Sequence, residues 1–281
     1  MKIRNVLLTP EIAKEWLSTM PRYQRTPSKY TVTEYANDIT NGRWVSGTGD
    51  AIRFNKQGQM MDGQHRCLAV IESGIAINVI VIEDLDNEVY MVLDRGKKRS
   101  AGDTIIAPNG NVRAAIAKCM IGLNNGVPIA SLIGGNISKR EHLISATEAA
   151  EFANKNEKAI SDIVGIYMNF KASQNGRFSA AVATVLISYA INKTGTLESI
   201  KKFSEDLLLP VADRPVVCTM VRERSSSFTV AKGTNKNLPV FAIFLVGFDG
   251  WYSQKTPKIL QTSSVTKNPN EIPVKRDWGK A

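Results

Sequence analysis

Long apolar runs are missing from this chain. No stretch approaches the ~18 consecutive apolar residues that a membrane span needs, so no transmembrane segment is expected. Histidine is nearly absent: His65 and His142 are the only two in 281 residues. Cysteine is scarce as well. Cys67, Cys119 and Cys218 lie far apart with no C-x-x-C pair, which argues against a Cys/His zinc site and against a disulfide framework. The odd cysteine count predicts free thiols. Near the N-terminus, the apolar stretch "VLL" is too short for a signal peptide, so a cytoplasmic protein is expected. No repeat of fixed period is present. A P-loop is excluded too: "GKKRS" at 96–100 has Met91, not glycine, five residues before Gly96.

What is present in excess is positive charge. The net charge is +10, and its distribution is uneven. Residues 1–105 carry 14 Lys/Arg against 13 Asp/Glu, whereas residues 106–281 carry 22 against 13. A basic surplus in one half of a chain suits a polyanionic partner, most often nucleic acid. A merely solubilising surface would have the same composition.

The length suits roughly two domains of about 150 residues. The first hundred residues alternate helices with short strands. "TPEIAKEW" opens a helix with Thr9 as N-cap and Pro10 at the first position. "TVTEYANDITNG" offers a capping box, Thr31 with Glu34, and Gly42 as the stop. Two short strands follow, "DAIRF" and Gln59–Met61, separated by "NKQG". "QHRCLAVIES" reads as a helix closed by Gly74, "INVIVI" as a buried strand, and "EVYMVLD" as a helical or extended return. Beyond the boundary, set at 105/106, the texture becomes helical. "VPIASLIGGNIS" and "PVADRPVVCTMVRERSSS" read as loops, and residues 262–281 as an irregular tail. The expected fold class is α+β in the first domain and mainly α-helical in the second.

One stretch concentrates chemistry: Asp62-Gly63-Gln64-His65-Arg66. A strand ends, a glycine turns the chain and a helix begins at Gln64. The free N–H groups and dipole of such a helix start attract anions, phosphate above all. Gly63 permits close backbone approach. Arg66 can fork onto phosphate oxygens, and His65 can donate a hydrogen bond or move a proton. Asp62 can orient His65 or hold a metal. The alternative is a plain D-G turn with solvated side chains.

This box resembles the G-x-H-R element of the ParB/sulfiredoxin superfamily. Most similar are the ParB-N-like proteins of bacteriophages, in which G-x-W, DGQHR and D-x-G-x-x-R segments recur in order. The matching residues are Gly42-Arg43-Trp44, Asp62–Arg66 and Asp94–Arg99, within residues 3–105. The resemblance implies a nucleotide-binding domain holding ATP or CTP with Mg²⁺, in a phage- or plasmid-type protein of the bacterial cytoplasm. In it, Gly63, Gln64, His65, Arg66 and Arg25 would meet phosphate. His65 and Asp62 would be catalytic in phosphate-bond chemistry (NTP hydrolysis or phosphotransfer), with Asp62 near the metal. Gln64 stands where sulfiredoxins carry their attacking cysteine, so sulfinic-acid reduction is not implied. The arginine-rich box of partition ParB proteins is absent as well.

Several other residues have two readings each. Arg22, Arg25 and Lys29, with Tyr23 and Tyr30, can face a nucleic-acid backbone or form an ordinary basic loop. Glu34 is a general base or a cap. Trp44 reads as closing the small core. Lys97, Lys98 and Arg99 touch a polyanion or, with Asp94, fix a junction. "RERSSS" at 222–227 binds phosphate or is an exposed linker. DNA is the expected macromolecular partner, and self-association stays open. The competing function is a non-catalytic DNA-binding or regulatory module with a vestigial pocket. A DNA nuclease and an inhibitor protein of a mobile element are further alternatives.

Overall fold

The protein is described by a computed structural model over residues 1–21, 26–92, 101–105, 107–134, 143–175, 178–227 and 237–279. Its contacts divide the chain into two units, Met1–Arg99 and Ser100–Ala281.

The N-terminal unit is built around a mixed sheet. Among the described residues it has four strands: β1 (Lys2–Leu8), β2 (Ala51–Asn55), β3 (Met60–Asp62) and β4 (Ile77–Leu85). Their spatial order is β1-β4-β2-β3. β1 lies antiparallel to β4, with Val6 opposite Val79. β2 runs parallel to β4, with Ile52 opposite Val81. A parallel pair needs a crossover, and β3 with the following helix supplies it. β2 and β3 form a hairpin that sets Arg53 opposite Asp62.

Three helices cover the sheet: α1 (Pro10–Ser18), α2 (Lys29–Thr40) and α3 (Gln64–Ser73). Their apolar stripes close a core of Leu8, Trp16, Ile39, Ile52, Phe54, Met60, Cys67, Val70, Val79 and Val81. Trp16 meets Phe54 edge-on at 5.2 Å. Thr9 caps α1 as expected, its hydroxyl accepting the Ile12 N–H at 3.3 Å. The Thr31–Glu34 capping box does not form. α2 starts three residues earlier, and the Ser28 hydroxyl accepts the Thr31 N–H at 3.3 Å. A tertiary tie contributes: the Ser28 backbone N–H is itself held by His65, which adds to the side-chain cap at that residue. Gly42 ends α2 with a left-handed turn at φ 69°. Trp44 packs against the small core and meets Tyr35 edge-on at 5.5 Å. "EVYMVLD" takes the helical alternative where described: Asn87–Val92 is a 3₁₀ helix.

The second unit is helical: α4 (Ala101–Thr104), α5 (Gly110–Asn124), α6 (Ile129–Gly134), α7 (Ala146–Lys155), α8 (Glu157–Ser173), α9 (Ala180–Thr194), α10 (Glu198–Asp206), α11 (Val216–Ser226), α12 (Asn237–Tyr252) and α13 (Ser263–Lys267). Phe152, Phe170, Phe203, Phe241, Phe244 and Phe248 are fully buried at its centre. Two segments expected to be loops contain helices. Ile129, Leu132 and Ile133 bury one face of α6, and Val217, Cys218 and Val221 bury one face of α11. "RERSSS" is therefore largely helical, and Arg222 Nη1 donates to the Leu207 carbonyl at 3.0 Å.

The C-terminal tail differs from expectation as well. It carries α13 and a 3₁₀ turn at Pro269–Glu271, and beyond them it is irregular but anchored. The Lys275 N–H donates to the Ser188 carbonyl at 3.0 Å. The Trp278 N–H donates to Asn124 Oδ1 at 2.9 Å, and Val274 is buried. These contacts supply the partners that a polar tail lacks on its own. Among the described residues no helix is long and apolar enough to cross a membrane.

Candidate phosphate-binding site

The box at 62–66 straddles the end of β3 and the start of α3. Gly63 is the N-cap of α3, with φ 114° and ψ 4°. An L side chain there meets two obstacles. The backbone angle lies in the region that favours glycine. A Cβ would also stand 2.8 Å from Ile52 Cγ1 and 2.9 Å from Ile52 Cγ2, and Ile52 is fully buried. Glycine is thus required by packing and by conformation, and it leaves the helix start without a side-chain cap. The other end of α3 closes on Gly74, whose N–H donates to the Val70 carbonyl at 2.9 Å.

Arg66 and Asp62 are engaged with the protein itself. Arg66 Nη1 donates to the Asp50 carbonyl at 2.7 Å, and Nη2 to the Ala51 carbonyl at 2.9 Å. Nη2 also reaches Asp62 Oδ2 at 3.3 Å, one helical turn back. Arg53 Nη1 donates to the same Asp62 oxygen from across the hairpin. Asp62 is therefore flanked by two guanidiniums, and Arg66 ties the start of α3 to the start of β2. The side chains of Arg66 and Asp62 are only 12% and 18% exposed. These surroundings do not fit a metal ligand, because a cation at Asp62 would face two positive charges. Among the described residues no group of three or more His, Cys, Asp or Glu gathers as a cation site. No step through Mg²⁺ follows from this arrangement.

His65 stands in the first turn of α3. Its Nε2 accepts the Ser28 backbone N–H at 3.0 Å, which joins the starts of α2 and α3. That bond needs the neutral imidazole with its proton on Nδ1. The Gln64 side chain, half-buried, has no hydrogen-bond partner among the described residues and is free to meet a ligand. Cys67 points the other way. Its thiol is fully buried, 3.9 Å from Met60 Sδ, and burial pushes it up to about 12 in spite of the neighbouring Arg66 charge. It is no nucleophile at neutral pH.

Glu34 lies on α2, where its charge adds to burial in raising the Tyr30 phenol above its ordinary range. Arg43 closes the end of α2 by donating Nε to Asp38 Oδ1 at 3.0 Å. The structure therefore brings together Asp62, Gly63, Gln64, His65 and Arg66. Arg22, Tyr23, Arg25, Asp94, Lys97, Lys98 and Arg99 lie outside the described residues. Sequence reasoning missed Arg53 and Ser28. Arg53 could have been found by folding the hairpin around "NKQG", which sets it opposite Asp62.

No protein-family model, curated protein or solved structure matches this chain.

Proposed function

We propose that the N-terminal unit binds the phosphates of a nucleoside triphosphate, ATP or CTP, at the start of α3, and that the chain works on or with DNA through its helical unit. The observation that carries the reading is the start of α3 on an obligatory glycine that brings no capping side chain, with Gln64 and His65 in its first turn. The first-turn N–H groups of a helix point out along its axis, and with the positive end of the dipole they favour an anion there. The resemblance of the box to ParB/sulfiredoxin proteins makes that anion a nucleotide phosphate. The helical unit adds the electrostatic support for DNA: residues 100–281 hold 22 Lys/Arg against 14 Asp/Glu.

In this reading Asp62 and Arg53 are positioning residues that hold Arg66 against β2. The chemistry would be phosphate-bond cleavage or transfer, with His65 as the proton-moving group. A second reading, binding without turnover, is favoured by one observation: Asp62, the carboxylate of the box, already serves two guanidiniums. Calorimetric titration of the full chain with ATP, CTP, GTP and UTP tests the binding step. His65→Ala is expected to weaken binding or abolish turnover, and no binding of any nucleotide refutes the reading. Turnover assays in the presence of DNA then separate the enzyme from the binding module.

A further inference from the structure

A second site is suggested by a groove in the helical unit, about 480 Å³ in volume, where the ends of α10 and α12 meet the start of α11. That volume falls within the ~300–1,000 Å³ typical of ligand sites. Lys202, Asp206, Val216, Trp251, Tyr252 and Lys255 line it.

Two aromatic rings are held ready. Trp251 donates its Nε1–H to Asp206 Oδ2 at 2.8 Å, which fixes the indole. Its ring stacks on Phe248 at 6.1 Å with 26° between planes. Tyr252 stacks on Phe248 as well, at 5.9 Å and 20°, yet remains 45% exposed. Trp251 also packs on Phe203 at 5.6 Å, so each ring has one side on the buried core and leaves part of its surface to the groove, where a flat ligand can cover both. Cations frame the rings. Lys255 has no ion pair among the described residues, and Lys202 only a long 3.9 Å contact with Asp206. Flat apolar faces beside solvent-exposed ammonium groups suit a base joined to a phosphate. An acidic peptide would use the lysines and leave the rings uncovered. A duplex keeps its bases stacked inside, out of reach of the rings.

We propose that this groove binds one unpaired nucleotide of a single-stranded nucleic acid, its base against Trp251 and Tyr252 and its phosphate against Lys202 and Lys255. The site is distinct from the start of α3, and it extends the nucleic-acid part of the function proposed above.

The test uses the full chain and a fluorescein-labelled 15-nucleotide oligothymidylate, followed by anisotropy at ~50 mM salt, where phosphate contacts are strong. Tyr252→Ala should weaken binding roughly 5- to 150-fold, the range for removal of one base-stacking platform. Lys255→Glu should also weaken binding and lower the slope of log affinity against log salt by about 0.7 for each phosphate that is no longer neutralised. Lys255 is exposed and unpaired among the described residues, so Lys255→Glu should melt with the wild type, while Tyr252→Ala gives up its stack on Phe248 and should lower the melting temperature by only a few degrees, leaving the fold intact for the binding measurement. Unlabelled single strand should compete well, and a 15-base-pair duplex or polyglutamate poorly. If the wild type binds and both variants bind equally well, the groove is refuted while the DNA reading stands. Equal competition by duplex or by polyglutamate also refutes it. If neither form of DNA binds, this inference and the DNA part of the proposed function fall together.

Discussion

Gly63→Ala is the most informative single change in the N-terminal unit. The substitution adds one methyl group at φ 114°, with its Cβ 2.8 and 2.9 Å from the two γ-carbons of Ile52. Ile52 is fully buried on a central strand of the sheet and cannot retreat into solvent. Overpacking of this kind costs about 1–3 kcal/mol. Positive φ on an L residue adds about 1–2 kcal/mol. The expected destabilisation is therefore about 2–5 kcal/mol, a large share of the ~5–15 kcal/mol that stabilises a typical domain. Gly58→Ala is the matched control. Gly58 has φ 74° in the hairpin turn, and a Cβ there meets nothing within 4 Å. It carries only the conformational cost, about 1–2 kcal/mol. Urea denaturation of both variants, followed by circular dichroism, isolates the clash with Ile52. Ile52→Ala removes the two γ-carbons. In the Gly63→Ala background it should cost less than it does alone, with a coupling of about 1–3 kcal/mol. Equal destabilisation by Gly63→Ala and Gly58→Ala, or strictly additive effects in the double variant, would refute the close packing at the start of α3.

Arg66→Ala should destabilise the N-terminal unit by about 2–3 kcal/mol, since it removes charge-assisted bonds to Asp50, Ala51 and Asp62, and denaturation midpoints check it. Arg66→Lys should recover little, because an ammonium cannot span the two carbonyls and the carboxylate. The thiols of Cys67, Cys119 and Cys218 are each pushed by burial to about 12 from an ordinary 9.0. Their unfolded forms ionise first, so stability present below pH 9 declines as pH rises toward 12, by about 1 kcal/mol at pH 10 for each thiol in the unit that holds it. Native protein at pH 8 should resist alkylation at all three, and labelling before unfolding would contradict their burial. Deleting residues 272–281 should lower the melting temperature of the helical unit, since it removes Val274 and the bonds of Lys275, Arg276 and Trp278 to α9 and α5.

Local signals in the sequence are legible where a single residue decides. Thr9 and Pro10 start α1, and Gly74 ends α3. Where two residues qualify, tertiary contact contributes. Ser28 and Thr31 both qualify as caps, and the N–H···Nε2 bond to His65, 37 residues away, adds a tertiary tie at Ser28 that the sequence does not display. α11 is hidden because Arg and Ser dominate its outer face, and its inward stripe is only Val217, Cys218, Val221 and Ser225. The tail reads as irregular because its partners, Ser188, Leu123 and Asn124, lie far off in sequence. Within the box, the positions of Gly63 and His65 are legible from the strand–glycine–helix pattern. The engagement of Asp62 and Arg66 is not, since it depends on the hairpin register and on the carbonyls of Asp50 and Ala51.

The central claim is that phosphate meets the protein at the start of α3. Amide ¹⁵N–¹H spectra of the full chain, titrated with ATP or CTP, test it most directly. Saturable shifts are expected, largest at the Gly63, Gln64 and His65 amides. No shifts there at millimolar nucleotide, or shifts confined to other segments, would contradict it.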